Sequence, residues 1–140
     1  MRIIGLDPGT AATGFGIIET SGDSFKRIDH GSIKTTTADD TAERLAIISK
    51  ELKVILKEYK PDVASVEDLF FFRNLKTAIG VAQARGVLLC TLAQARIEAF
   101  SYTPLQIKMS LTGYGRAEKK DVQRAVRKFL RTRKIPRPNH

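Results

Sequence analysis

The stretch Ile3-Ile4-Gly5-Leu6-Asp7-Pro8-Gly9-Thr10 leaves a folding chain few options. A short apolar run ends on a carboxylate, and a proline and a glycine follow at once. Proline presets its own φ, glycine accepts φ > 0, and aspartate can bond the backbone of a turn. The run therefore reads as a buried strand closed by a reversal. Gly14-Phe15-Gly16-Ile17-Ile18 then reads as the strand coming back beside it. Taken alone, Asp7 is as well explained as a turn residue as by any chemistry. Chemistry needs a second carboxylate brought to the same sheet edge, and the elements that follow supply one in Glu67.

Ser21-Gly22-Asp23-Ser24 supplies another turn, and a third strand is expected from Phe25 to Thr35, interrupted at His30-Gly31. Three strands joined by tight turns make an antiparallel meander. Asp40 then caps a helix, with Glu43 placed as in a capping box. Leu45, Ile48, Leu52, Ile55 and Leu56 keep helical spacing along one face, and Pro61 ends the helix. Val63-Ala64-Ser65-Val66 is the next strand, ending at Glu67. A strand, a helix and a strand make a right-handed crossover, which lays the new strand parallel to an earlier one. If it lies beside the first strand, Asp7 and Glu67 leave the same carboxyl edge, where open α/β sheets place their ligand sites.

An apolar loop, Phe70-Phe71-Phe72-Arg73-Asn74, leads to a helix from about Leu75 to Arg96. The small residues Gly80/Ala84 and Ala82/Gly86 stand at i, i+4 spacing in that helix, where glycines cost about 1 kcal/mol each relative to alanine. They fit either a close helix–helix contact in a homodimer or close packing on the chain's own sheet. Ile97 to Tyr102 reads as a fifth strand. A helix starting at Pro104 and a basic helix from about Ala117 to Arg131 complete the pattern. The expected architecture is a single α/β domain over residues 1–140, with a mixed five-stranded sheet and helices on both faces.

The net charge of +9 is not spread evenly. Residues 1–100 hold 13 basic and 13 acidic side chains, whereas residues 101–140 hold 11 basic ones against only Glu118 and Asp121. Positive charge confined to one segment points to a polyanionic partner, although a basic tail is the plainer alternative. No apolar run approaches the ~18 residues that span a membrane. Cys90, the only cysteine, reads as a small core residue in a reducing, cytoplasmic setting. Glu19, His30 and Asp68 read as structural.

Two converging acids repel unless a cation joins them, and Mg²⁺ takes one or two protein carboxylates completed by water and substrate phosphate. With a basic segment nearby, the residues point to metal-dependent hydrolysis of a nucleic-acid phosphodiester. Four motifs then carry a resemblance across essentially the whole chain. They are Gly5-Leu6-Asp7-Pro8-Gly9-Thr10, Val66-Glu67-Asp68-Leu69-Phe70-Phe71, Gln83-Ala84-Arg85-Gly86 and Gly113-Tyr114-Gly115-Arg116-Ala117-Glu118-Lys119-Lys120. In this order and spacing they resemble the RuvC family, bacterial Holliday-junction resolvases with an RNase H-like fold.

The resemblance implies that Asp7, Glu67 and His140 are metal-holding catalytic residues, His140 standing where the family usually has Asp. It implies Phe70 as a base-stacking residue and Lys108 and Lys119 as contacts near the scissile phosphate. It further implies Mg²⁺, with Mn²⁺ also effective, as two ions per subunit. A metal-activated water would leave 5′-phosphate and 3′-hydroxyl ends. The implied partners are four-way junction DNA, a second copy of the chain and the branch-migration proteins RuvA and RuvB, with no membrane. The family's fourth acid and last helix would fall beyond His140, so the chain is expected to be part of a longer protein. A junction-binding module that does not cut, and the N-terminal part of an actin-like ATPase, are the alternatives.

Overall fold

The computed structural model describes residues 1–21, 24–68 and 74–102, with the backbone alone for Tyr102. Five strands form one mixed sheet. They are β1 (Arg2–Asp7), β2 (Ala12–Ser21), β3 (Ser24–Lys34), β4 (Val63–Glu67) and β5 (Glu98–Tyr102), in the order β3-β2-β1-β4-β5. β1, β2 and β3 pair antiparallel as the expected meander, while β4 lies parallel to β1, and β5 parallel to β4.

Helix α1 (Thr41–Tyr59) begins where expected, the Asp40 carboxylate accepting a hydrogen bond from the Glu43 N–H at 2.8 Å. It ends at Lys60, whose left-handed φ of 49° turns its N–H back to the Leu56 carbonyl, and Pro61 prevents continuation. Helix α2 (Leu75–Gln94) is capped by Asn74, which accepts from the Lys76 N–H at 2.9 Å. Ile48, Leu52 and Leu56 of α1 meet Ala84, Leu88 and Leu92 of α2 over Ile4, Leu6, Ile17, Ala64 and Val66 of the sheet, all in one core. Inside it the Thr91 hydroxyl donates to the Val87 carbonyl, so the Ser49 hydroxyl donates to Thr91, 2.9 Å away. Both described helices thus cover the same face of the sheet. The helices expected after Pro104 lie outside the described residues.

Two expectations need correction, and a third question is answered in part. β3 is continuous through His30-Gly31, because Gly31 stands opposite Phe15 and makes room for its ring. A Cβ on Gly31 would lie 3.0 Å from the ring carbons. The irregularity falls instead at a bulge, where Ile17 faces Asp29 and Ile18 faces Arg27. Cys90 is exposed rather than buried, since it sits on the outer side of α2. The small residues of α2 divide between the two readings. Ala84 is fully buried and Gly80 abuts Thr10, so that pair packs on its own chain, while Ala82 and Gly86 face outward. By length and composition alone, with a mean hydropathy of 1.2, α2 could cross a membrane. Its inner side chains are spent on the core, and it is the two-sided apolar character that raises the average.

Candidate active site

β1 and β4 run in register, Leu6 beside Val66, so Asp7 and Glu67 end neighbouring parallel strands about 4.8 Å apart. Side chains alternate along each strand. Ile4 and Leu6 enter the core, and so do Ala64 and Val66. Gly5, Asp7, Ser65 and Glu67 therefore share the opposite face. The two acids, both half-buried, line one cleft of about 270 Å³. Its floor is unusually bare, for Gly5 pairs with Gly16 and Asp7 with Gly14. A Cβ added to Gly16 would meet no atom within 4 Å, so at that position the face offers backbone to whatever enters.

Asp7 is aimed by the reversal that follows it. Thr13, fully buried, donates its hydroxyl to the Gly9 carbonyl at 2.7 Å. The Thr35 hydroxyl donates to the Thr10 carbonyl at 2.5 Å, and the Thr35 N–H donates to the Ala11 carbonyl at 3.0 Å. Arg44 of α1 donates in turn to the Thr35 hydroxyl at 2.9 Å. Gly9 is required here for space: a Cβ would stand 2.3 Å from the Ala12 carbonyl oxygen. From the other side α2 closes on the same loop, a Cβ on Gly80 falling 2.8 Å from Thr10 Oγ1.

Glu67 is held by a residue to which sequence reasoning gave no role. Arg85, on α2, donates from Nε to the Glu67 carbonyl at 3.3 Å and from a terminal nitrogen to Ser101 Oγ at 2.6 Å. The same guanidinium pairs with Asp68 at 3.4 Å, so Asp68, read as structural, belongs to the support of this edge. One signal was available: Lys76 and Arg85 are the only charged residues in α2. Of the expected site residues, Asp7 and Glu67 are brought together. Phe70, Lys108, Lys119 and His140 lie outside the described residues.

Two carboxylates at one edge offer hard oxygen donors of the kind that suit Mg²⁺ or Mn²⁺. Among the described residues no group of three His, Cys, Asp or Glu side chains could hold a metal ion, so a full ligand set needs donors from elsewhere. The other two residues left as structural are tied to neighbouring arginines, His30 of β3 standing directly opposite Gly16. Glu19 pairs with Arg2 at 2.9 Å, and His30 Nδ1 accepts from Arg27 at 2.7 Å.

Comparison with known proteins extends the likeness beyond the described core. A family model described as crossover junction endodeoxyribonuclease RuvC matches residues 3–140. The crossover junction endodeoxyribonuclease RuvC of Fusobacterium nucleatum is 50% identical over 139 residues, covering 99% of this chain and 73% of the relative. That of Halothermothrix orenii is 47% identical, covering 99% and 84%. Among solved structures, T. thermophilus RuvC in complex with Holliday junction substrate superposes with a TM-score of 0.93 at 30% identity, covering 100% of this chain and 86% of that one. The fold, its strand-end acids and these matches agree, and the chain belongs to the RuvC family of crossover junction endodeoxyribonucleases.

Proposed function

We infer that the protein resolves Holliday junctions by hydrolysing DNA phosphodiester bonds in recombination and repair. The observation that carries this reading is the convergence of Asp7 and Glu67 on one cleft with a glycine floor. Asp7 and Glu67 would hold the family's divalent metal, Mg²⁺ or Mn²⁺ and two ions per subunit, with His140 as a third donor. A divalent ion so held supplies Lewis acidity and a nucleophilic water at neutral pH. The bare backbone at Gly16, beside Gly5, lets a sugar-phosphate chain approach closely at that point. Lys108 and Lys119 offset phosphate charge, and Phe70 stacks on a base, a contact worth about 1–3 kcal/mol for any base. The cut leaves a 5′-phosphate and a 3′-hydroxyl.

A homodimer would match the twofold symmetry of the junction, and the outer face of α2 supports it. Leu75 is 76% exposed and Ile79 51%, and Ala82, Gly86 and Cys90 continue the stripe at helical spacing. An apolar face with small residues at its centre lets an identical helix come close. RuvA and RuvB are the accompanying partners, and the cytoplasm, where the chromosome lies, is the place of action.

The test is nicking of a mobile four-way junction in Mg²⁺ and in Mn²⁺, with Asp7→Asn as control and the product ends mapped. Paired symmetric nicks with religatable ends, lost in Asp7→Asn, are expected. Junction binding with no nicking in either metal would replace this reading with a binding module that does not cut. For the dimer, Gly86→Glu should give a folded monomer by sedimentation and turn paired cuts into single nicks.

A further inference from the structure

We propose that Arg85 is a positioning residue for Glu67, fixing the separation of the two strand-end acids and so the affinity of the cleft for a divalent cation. The proposal rests on the reading of Asp7 and Glu67 as metal-holding acids. Only 18% of the Arg85 side chain is exposed, and withdrawing a guanidinium from water is costly unless its donors are met. Its partners among the described residues lie where β4 and β5 end: the Glu67 carbonyl, Asp68 and Ser101. Ser101 pairs with Val66 across the β4–β5 ladder, so the fork ties the two strands together one step before Glu67 leaves the sheet.

The fork does two things for the acid pair. It holds the backbone of Glu67, which limits where its carboxylate can swing. It also keeps the Asp68 carboxylate turned to a cation, so that a third negative charge is neutralised beside the other two. The helix that carries Arg85 also touches the opposite acid's support, since Gly80 closes on Thr10 in the loop after Asp7. One helix thus references both acid-bearing segments. Supports that orient metal ligands in this way typically change metal affinity 10–100-fold when removed.

Mn²⁺ binding to the protein without DNA, read from the electron paramagnetic resonance of free Mn²⁺, tests this directly. Arg85→Ala should raise the Mn²⁺ dissociation constant by about 10-fold or more. Arg85→Lys keeps the charge but cannot reproduce the planar fork, so most of that loss should remain. Ser101→Ala, which removes one prong, should cost a few-fold. Junction binding in EDTA should stay within about twofold of the parent in all three, and melting in EDTA checks the fold. Parental Mn²⁺ affinity in a folded Arg85→Ala, or full rescue by Arg85→Lys, overturns the proposal. If Arg85→Ala does not fold, parental affinity in both Arg85→Lys and Ser101→Ala overturns it equally. Should Asp7→Asn bind Mn²⁺ as the parent does, the metal-holding role of the acids falls, a result distinct from failure at Arg85.

Discussion

The two ends of β1 carry charge in opposite ways. At its start, Arg2 is surrounded by acceptors: its Nε donates to Glu19 at 2.9 Å, a terminal nitrogen to the Tyr59 carbonyl at 2.8 Å, and its backbone N–H to Asp62 at 2.7 Å. The amino terminus donates to the Thr20 carbonyl close by, and the Tyr59 hydroxyl donates to Asp29. Each charged group there secures the chain to itself. At its end, Asp7 is joined by Glu67 and Asp68, and Arg85 grips strand ends and Asp68. Two acids brought to one cleft repel each other, and a bound cation would relieve that repulsion. The first end is built to hold the sheet; the second is built to hold something else.

Removing one negative charge at each end is the sharpest way to break this contrast. Glu67→Gln should lower the nicking rate about 10³-fold or more, equivalent to about 4 kcal/mol of barrier. Glu19→Gln should leave nicking intact and cost at most about 1 kcal/mol of stability, because its pair with Arg2 is part-exposed. Equal effects of the two on nicking would erase the distinction. Gly9→Ala comes next. Its Cβ would collide with the Ala12 carbonyl, so it should cost more than about 1 kcal/mol in urea unfolding. The folded fraction should also lose nicking, since the displaced loop carries Asp7.

The smallest effect belongs to pH at the holding end. The Tyr59 hydroxyl, followed by the His30 N–H, keeps the Asp29 carboxyl below its ordinary 3.8. In return the hydrogen bond to Asp29 pushes Tyr59 up to about 12. A lowered acid contributes stability above its unfolded value and loses it as pH falls through the folded one. A raised phenol contributes below about pH 10 and loses it as pH climbs toward 12. Tyr59→Phe should therefore flatten both limbs of a stability–pH curve from urea melts while nicking at pH 7 is unchanged. Parallel curves for the two proteins would show that this pair does not couple folding to protons.

Much of the acid-bearing edge was legible because it follows from short-range pattern. Short apolar runs, the Asp7-Pro8-Gly9 reversal and the crossover through α1 were enough to bring Asp7 and Glu67 to neighbouring strands. The Asp40 cap was legible for the same reason. Gly31 was misread as a break because glycine punctuates loops, whereas here it yields space to the ring of Phe15, 16 residues earlier in the chain. Cys90 was misplaced because α2 is apolar on both sides, so periodicity does not say which side turns inward. Arg85 stayed without a role because its partners lie 16 and 18 residues distant, and no local spacing marks them.

The parallel pairing of β1 and β4 restricts how this lineage can change length. Losing or gaining one residue between Pro61 and Glu67 would rotate the acid through the sheet into the hydrocarbon interior. A change of two would restore its side but shift it by about 6.6 Å along the ladder, out of step with Asp7. Insertions that spare the enzyme must therefore collect before Pro61 or after the strand ends, and the five residues of β4 should keep their number wherever cutting persists.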